Sequence, residues 1–307
     1  MAGVILKEKT YGKLGNCIEL SNGAVDLLTT VEVGPRIIRY GFTGSQNEFC
    51  DNSELTLGVE NDEWRLIGGH RLWHSPEAFP RTYFPDNDPL EWEKIENGIR
   101  VTSKVQQWVQ IKKLMEITLS PTGSKVRIIH KLINKNAWPV ELSVWSSSVM
   151  APGGKEIIPQ PQNKSHFSEG FKGARVITLW SYSKMNDPRV YWGDKYITLQ
   201  QDKNISANIK FGISNEDGWG AYINNNHLFV KKYAHDCNAK YPDGGVSYET
   251  FASDSILEME TLSPLVLLEP DKEAVHVEEW KLVDAANMPA DNEKQIDEIV
   301  DKYIKTF

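Results

Sequence analysis

The segment Ser255-Ile256-Leu257-Glu258-Met259-Glu260-Thr261-Leu262-Ser263-Pro264 decides how the chain is interpreted. Side chains of a β-strand point alternately to its two faces, so Leu257, Met259 and Thr261 share one face and Glu258 and Glu260 share the other. Glutamate is depleted in strands, so two glutamates on one face need a physical reason. The segment predicts a strand whose acidic face is either open to water or lines a polar groove in which carboxylates act.

Short segments with the same alternation recur along the chain, and turn residues separate them. They include 98–105, 126–132, 175–180, 196–199, 205–213, 219–223, 228–232, 246–251 and 276–283. Between them we find no helical pattern long enough for repeated βαβ units. The sequence therefore predicts an all-β, mainly antiparallel fold.

One helix is predicted at the C-terminal end, over about residues 292–306. Its apolar residues fall at helical spacing: Ile296, Ile299, Val300, Tyr303 and Ile304. Asn292, with Gln295 three residues later, is a plausible N-terminal cap. We expect the apolar stripe to pack on the outside of a sheet. Because no linker-like break in composition occurs, we expect a single domain over residues 1–307.

Composition excludes several classes of function. The formal net charge of the 307 residues is −8 and the basic residues are scattered, which argues against nucleic-acid and membrane-surface binding. Three widely spaced cysteines indicate a reducing compartment. The N-terminal residues lack a signal-peptide pattern, and no apolar run of roughly 18 residues exists to span a membrane. The expectation is a soluble, cytoplasmic protein.

Polar and aromatic residues crowd the segment 65–77, which reads RLIGGHRLWHSPE. Gly68-Gly69 and Pro76 disfavour regular structure, so we predict a loop. The loop either carries a site or is a rim held by its own hydrogen bonds. A zinc site of His70, His74 and Glu77 would need a helical face, which the glycines disfavour, so no metal is predicted.

Motifs for other chemistries are missing from the sequence. No glycine-rich phosphate loop leads from a strand into a helix, so no nucleotide cofactor is predicted, nor any other cofactor. No G-x-S-x-G motif occurs, and Ser146-Ser147-Ser148 is typical of a half-buried strand. Tyr241-Pro242-Asp243-Gly244-Gly245 is a polar loop ahead of the acidic strand, and its Asp-Gly-Gly is first of all a turn.

Several motifs, taken in order, resemble the galactose mutarotase-like, or aldose 1-epimerase-like, superfamily. They are Gly34–Ile38; Arg65–Gly69 with Trp73, Pro76 and Glu77; Asn134–Ser143; and Glu260-Thr261 with Pro264, Leu267, Pro270, His276 and Trp280. The resemblance spans most of residues 15–285 and is closest to uncharacterised branches of that superfamily. It implies a β-supersandwich of two large, twisted, mainly antiparallel sheets with a concave sugar-binding face.

The resemblance also implies an activity, the interconversion of sugar anomers. In the family a carboxylate takes the proton of the C1 hydroxyl while an acid, usually histidine, protonates the ring oxygen. Glu260 stands at the position of the base. Trp145 stands near the position of the acid histidine, so His70 or His74 would have to supply the acid. Arg36, Arg71 and Trp73 would orient the substrate, and Glu77, Trp145, Tyr241 and Glu258 would line the groove.

Three functions stay open at this point: an aldose 1-epimerase-like isomerase, a carbohydrate-binding protein without catalysis that uses Trp145 as a stacking platform, and other acid–base chemistry on an oligosaccharide. The expected partner is a small-molecule carbohydrate. Three arginines within residues 65–81 leave room for an anionic sugar, such as a phosphate or a uronate. The sugar and the oligomeric state do not follow from the sequence.

Overall fold

The computed structural model describes residues 3–51, 53–59, 62–162, 173–284 and 286–307. The strands are β1 Ile5–Thr10, β2 Asn16–Ser21, β3 Val25–Thr30, β4 Arg36–Phe42, β5 Ser53–Val59, β6 Asp62–Ile67, β7 Gly69–Ser75, β8 Glu91–Ile95, β9 Gly98–Val105, β10 Ile111–Leu119, β11 Val126–Asn134, β12 Val140–Met150, β13 Lys155–Pro159, β14 Ile177–Leu179, β15 Val190–Trp192, β16 Tyr196–Gln200, β17 Ile209–Ile213, β18 Trp219–Asn224, β19 His227–Tyr233, β20 Tyr248–Ala252, β21 Leu257–Leu262, β22 Val266–Leu268 and β23 Glu273–Val283. The helix α1 covers Glu293–Ile299 and continues as a π-helical turn over Val300–Ile304.

Two large sheets contain most of these strands. The first sheet has eleven strands in the order β1-β2-β3-β4-β7-β12-β21-β20-β17-β14, with β22 paired to β12. The second has ten strands in the order β15-β16-β13-β18-β19-β23-β11-β10-β9-β8. The central pairs of the first sheet, β7–β12 and β12–β21, are antiparallel, as are β19–β23 and β11–β23 in the second. The predicted all-β, mainly antiparallel sandwich of two large sheets is confirmed.

The core lies between the two sheets and draws on both. Met259 of β21 and Tyr40 of β4 come from the first sheet, whereas Phe229 of β19 and Trp280 of β23 come from the second. The rings of Tyr40 and Trp280 are 5.8 Å apart across this layer, a distance typical of packed aromatic pairs. The single-domain organisation stays a prediction, and this shared core is the observation that supports it.

The C-terminal helix packs on the outer face of the second sheet, as predicted. The buried residues Ile296, Val300 and Ile304 share a cluster with Trp219 of β18 and Val230 of β19. The predicted cap is also present.

That cap is formed by the side chain of Asn292, which accepts hydrogen bonds from the backbone N–H groups of Lys294 and Gln295. No helix of the described residues is long and apolar enough to cross a bilayer.

The prediction of a loop over residues 65–77 is wrong. Residues 62–67 form β6, and residues 69–75 form β7 in the middle of the first sheet. The two glycines do not end regular structure; they let the chain pass close to other backbone. Gly68 and Gly69 have φ values of 106° and 69°, and a Cβ there would lie 2.1 Å from the carbonyl oxygen of Cys50 and 2.4 Å from that of Ile37.

Candidate functional site

A cleft of about 260 Å³ lies on the face of the first sheet that points away from the second. Three tryptophans line it, Trp64 of β6, Trp73 of β7 and Trp145 of β12, and Tyr83, Tyr182 and Phe251 complete its aromatic wall. The charged residues of the wall are Arg71, Glu77, Lys210 and Glu258. Aromatic planes with a few charged groups between them are the composition of a small-molecule site.

Strand alternation explains why these side chains meet. Arg71 and Trp73 occupy one face of β7, and Trp145 lies opposite Trp73 in the register of β7 and β12. On the other side of β12, Ser147 lies opposite Glu260 of β21. Because side chains of paired strands that point to the same face lie side by side, Glu258 is brought to the wall of this cleft and Glu260 lies directly behind Trp145 and Lys210 of that wall. The burial of both glutamates excludes the alternative of a face open to water, whereas a groove in which these carboxylates act stays a prediction.

Glu260 is fully buried and does not itself line the cleft; it lies behind Trp145 and Lys210, which do. Its Oε2 accepts hydrogen bonds from Trp145 Nε1 at 2.8 Å and from Lys210 Nζ at 3.2 Å. Its Oε1 has no hydrogen-bond partner among the described residues. Glu260 therefore keeps one oxygen without a fixed donor, and the neighbouring carboxyl group of Glu258 hydrogen-bonds to Glu260 when it is protonated.

Lys210 is the cation at the centre of this acidic group. Its Nζ lies 2.9 Å from Glu249 Oε2 and 3.9 Å from Glu77 Oε2 as well as close to Glu260. It also lies 4.6 Å from the centre of the Trp145 ring. Burial alone would lower the pKa of Lys210, but the surrounding carboxylates raise it well above its ordinary value, so Lys210 is held as a cation.

Glu258 differs from Glu260 in its surroundings. Its Oε1 accepts a hydrogen bond from Arg71 Nη2 at 3.1 Å, and the Arg71 guanidinium stacks 3.8 Å from the centre of the Trp73 ring. Burial raises the pKa of Glu258 to about 7; the charge of Arg71 opposes this rise and that of Glu260 adds to it. A carboxyl group with this pKa exchanges protons near neutral pH, as a general acid or base must.

The two histidines predicted to supply the acid do not face the cleft. His70 and His74 lie on the opposite face of β7 from Arg71 and Trp73, in the layer between the sheets, and both are buried. Burial lowers the pKa of His70 well below its ordinary value and that of His74 to about 3. The structure does not bring either histidine to the carboxylates of β21.

His70 belongs instead to a buried hydrogen-bond network. Its Nε2 lies 2.7 Å from His130 Nε2, and its Nδ1 lies 2.9 Å from Ser148 Oγ. His130 Nδ1 must donate to the carbonyl oxygen of His276, at 3.2 Å, because a carbonyl can only accept. Burial lowers the pKa of His130 to about 4 and that of His70 well below its ordinary value, so both rings are neutral. His130 Nε2 then accepts from His70 Nε2, and His70 Nδ1 accepts from Ser148 Oγ.

Three ligand atoms of this network could in principle surround a metal ion. One atom each of His70, His130 and Glu278 lies within 4.8 Å of the other two. However, Lys231 Nζ lies 3.0 Å from Glu278 Oε1, so an ammonium group already supplies the positive charge there. The three side chains already have hydrogen-bond or ion-pair partners, so their polar atoms are satisfied without a metal ion. The metal ligands considered from the sequence, His70, His74 and Glu77, do not come together. Glu77 faces the cleft, whereas the two histidines face the layer between the sheets.

The remaining sequence candidates divide between the cleft and its support. Arg71, Trp73, Glu77, Trp145 and Glu258 line the cleft.

Arg36 and Tyr241 are placed differently. The buried guanidinium of Arg36 donates to the carbonyl oxygens of Arg65 and Gly68 at 3.4 and 3.5 Å, so it holds the chain that precedes β7. Tyr241 stacks on His235 with ring centres 4.8 Å apart and accepts a hydrogen bond from the backbone N–H of Asp236. Tyr241 is not among the cleft-lining residues.

Sequence reasoning missed several residues of the site, and Lys210 is the most important. The strand pattern around it carried a signal, because Ile209, Phe211 and Ile213 alternate with Lys210 and therefore place it on the polar face. Trp64 and Tyr182 had no such signal, since nothing in their local sequence links them to residues 257–262.

Comparison with known proteins supports the fold. No protein-family model matches the chain, and no curated protein matches it significantly. Solved structures do match. A candidate aldose 1-epimerase from Klebsiella pneumoniae has a TM-score of 0.56 at 13% identity, covering 98% of this chain and 87% of that one. The chain has a galactose mutarotase-like fold.

Two further structures with this fold agree. A galactose mutarotase-like protein from Lactobacillus casei has a TM-score of 0.54 at 9% identity, over 87% of this chain and all of that one. A candidate aldose 1-epimerase from Escherichia coli has a TM-score of 0.50 at 9% identity, over 92% of this chain and all of that one. The resemblance to galactose mutarotase-like proteins is thus shown at the level of the fold. These proteins are distant structural relatives of the chain.

Proposed function

We propose that the cleft binds a sugar and that Glu258 and Glu260 interconvert its anomers. The observation that carries this proposal is the pair of buried carboxylates on one strand face, one of which has a pKa of about 7. Neighbouring acids in different surroundings are the arrangement that acid–base catalysis requires. The shared galactose mutarotase-like fold supports a sugar as the ligand.

In the proposed reaction Glu260 accepts the proton of the C1 hydroxyl through its unpartnered Oε1. Glu258 in its protonated form donates to the ring oxygen, and the bond between C1 and that oxygen breaks to give the open-chain aldehyde. Rotation about the bond between C1 and C2 exposes the other face of the carbonyl. On ring closure Glu258 takes back the proton from the oxygen that closes the ring, and Glu260 returns its proton to the oxygen on C1. The reaction is therefore balanced and needs no cofactor.

A second function, carbohydrate binding without catalysis, is favoured by the burial of Glu260 behind Trp145 and Lys210. The side chain is fully buried, and Trp145 and Lys210 occupy one of its oxygens. Substrate would reach Oε1 only if these side chains moved. The aromatic wall of the cleft could bind a sugar ring without any such movement.

Saturation-transfer NMR of anomer exchange in a panel of aldoses distinguishes the two functions. Glu260→Gln and Glu258→Gln should each slow exchange by roughly 10²–10⁴-fold, the range typical of a general acid or base. Glu141→Gln, at an exposed position on β12, is the matched control and should leave exchange unchanged. Exchange should also fall as pH rises through 7, because Glu258 then loses the proton that it donates.

Two results would contradict the enzymatic proposal. One is full exchange activity in Glu260→Gln. The other is sugar binding by calorimetry with no acceleration of exchange for any aldose, which would instead support the binding function.

A further inference from the structure

Several buried hydrogen-bond donors of the cleft have no partner. Within the described residues, Arg71 Nε, Arg71 Nη1, Trp64 Nε1 and Trp73 Nε1 make no hydrogen bond. The three side chains are at most 5% exposed, so bulk water does not solvate these atoms well. A buried donor without a partner destabilises the fold and is rare in native proteins, so each one needs an explanation.

The three side chains form one contiguous patch. Arg71 Cζ lies 3.8 Å from the centre of the Trp73 ring and 5.5 Å from that of Trp64. The two indole rings are 5.5 Å apart. All three residues line the same cleft, and because each unpartnered nitrogen exposes less than 1 Å², a ligand in the cleft reaches these nitrogens through a small movement of the side chains.

We propose that Arg71, Trp64 and Trp73 form a subsite for an anionic oxygen group, a carboxylate or a phosphate, on the sugar that binds in the cleft. The inference rests on the proposed function in one respect, namely that the ligand is a sugar. Guanidinium and indole nitrogens only donate, so the matching group must accept several hydrogen bonds from one side and bring no hydrogen of its own. A hydroxyl group has a hydrogen to place, whereas carboxylate and phosphate oxygens do not, and their charge complements Arg71.

The other charged groups of the cleft raise or lower its affinity for an anion. Glu77 and Glu258 oppose an anion, whereas Lys210 attracts it. Glu77 is engaged by Tyr83 Oη and by Lys210, and Glu258 by Arg71 Nη2, which leaves Nε and Nη1 of Arg71 free. Because the pKa of Glu258 is about 7, its protonation below neutral pH removes one opposing charge. Galacturonate, whose carboxylate stays ionised over this range, should therefore bind more tightly at pH 6 than at pH 8. A phosphate monoester has a second pKa of about 6 and changes its own charge over the same range, so galactose 6-phosphate is not used for this comparison.

Calorimetry with matched sugar pairs tests the subsite. The probes are galactose, galacturonate and galactose 6-phosphate, and the two anions separate a carboxylate ligand from a phosphate ligand. At least one anion should bind roughly ten-fold or more tightly than galactose, the gain expected from charge-assisted hydrogen bonds. Trp73→Phe keeps a ring and removes the N–H, and it should lower the ratio of anion to neutral affinity by roughly ten-fold. Trp138→Phe, at a position 63% exposed, is the matched control and should leave that ratio unchanged.

The outcomes separate this inference from the proposed function. Equal affinity for all three probes overturns the subsite, as does an unchanged ratio in Trp73→Phe, while anomer exchange on galactose would still support the acid–base chemistry. Tighter anion binding without exchange on any probe supports the subsite and contradicts that chemistry. If none of the probes binds at millimolar concentration, the subsite is overturned together with the sugar site.

Discussion

Lys210 neutralises the acidic wall of the cleft. It contacts Glu260 and Glu249 within 3.2 Å, and all three side chains are almost completely buried. Carboxylates in such a place are tolerated only with a cation beside them, because removing charge from water is costly. Glu249 shows the limit of this compensation: burial raises its pKa well above the ordinary value although Lys210 acts in the opposite direction.

Replacing Lys210 by Met should destabilise the protein by roughly 3–5 kcal/mol, because Glu260 is left buried without the cation beside it. Urea denaturation at pH 7 measures the change. Lys305→Met, which removes an exposed ion pair with Asp301, is the control and should change stability by less than roughly 1 kcal/mol. A loss of under 1 kcal/mol in the Lys210 variant would show that the carboxylates are neutral or solvated without it.

At the scale of single elements, the two faces of β7 have different surroundings. Its odd-numbered residues Arg71 and Trp73 enter the cleft, and its even-numbered residues His70 and His74 enter the core. One strand thus supplies both a cleft-lining face and part of the polar layer between the sheets. The two ring nitrogens of His74 have no hydrogen-bond partner among the described residues, so this histidine is a poor fit to its position.

His74→Leu should therefore keep or increase stability, by up to roughly 1–3 kcal/mol, because an unpaired buried polar group is removed. Sugar binding and anomer exchange should match those of the unmodified protein, since the side chain lies on the other face of β7. Ser148→Ala is the contrasting variant: it leaves His70 Nδ1 without a donor and should cost roughly 1–3 kcal/mol. Loss of exchange in a well-folded His74→Leu protein would return that histidine to the acid role.

On the scale of the whole molecule, the first sheet is covered on one side by the second sheet and carries the cleft on the other. The second sheet is in turn covered on its outer face by the C-terminal helix, where Ile296 is fully buried against residues of β18 and β19. The helix is only seven residues long before its π-helical turn. Packing against the sheet must therefore supply most of its stability.

Ile296→Ala should lower the free energy of unfolding by roughly 2–5 kcal/mol, the usual range for emptying a buried aliphatic site. Thermal and urea unfolding monitored by tryptophan fluorescence provide the measurement. Ile5→Ala on the edge strand β1, where the side chain is 50% exposed, is the matched control and should change stability by roughly 0.5 kcal/mol or less. A Ile296 variant as stable as the control would mean that the helix does not contribute to the fold.

The local sequence by itself determined many of the strands, the C-terminal helix and the face on which Glu258 and Glu260 lie. Alternation with period two and the spacing of Ile296, Val300 and Ile304 are properties of neighbouring residues, so they can be recognised without contacts. The same rule places Arg71 and Trp73 together and opposite to His70 and His74. The glycines of Gly68-Gly69, however, favour a loop, so the local sequence does not reveal β7.

Only the tertiary structure decided which of these faces meet. Glu260, Lys210 and Trp145 are separated by dozens of residues in the chain, and the antiparallel register of β12, β21, β20 and β17 brings them within hydrogen-bond distance. Burial, which raises the pKa of Glu258 to about 7, is likewise a property of the packed sheets. Register and burial depend on contacts distant in sequence, which is the physical reason that strands could be predicted from the chain while the composition of the cleft could not.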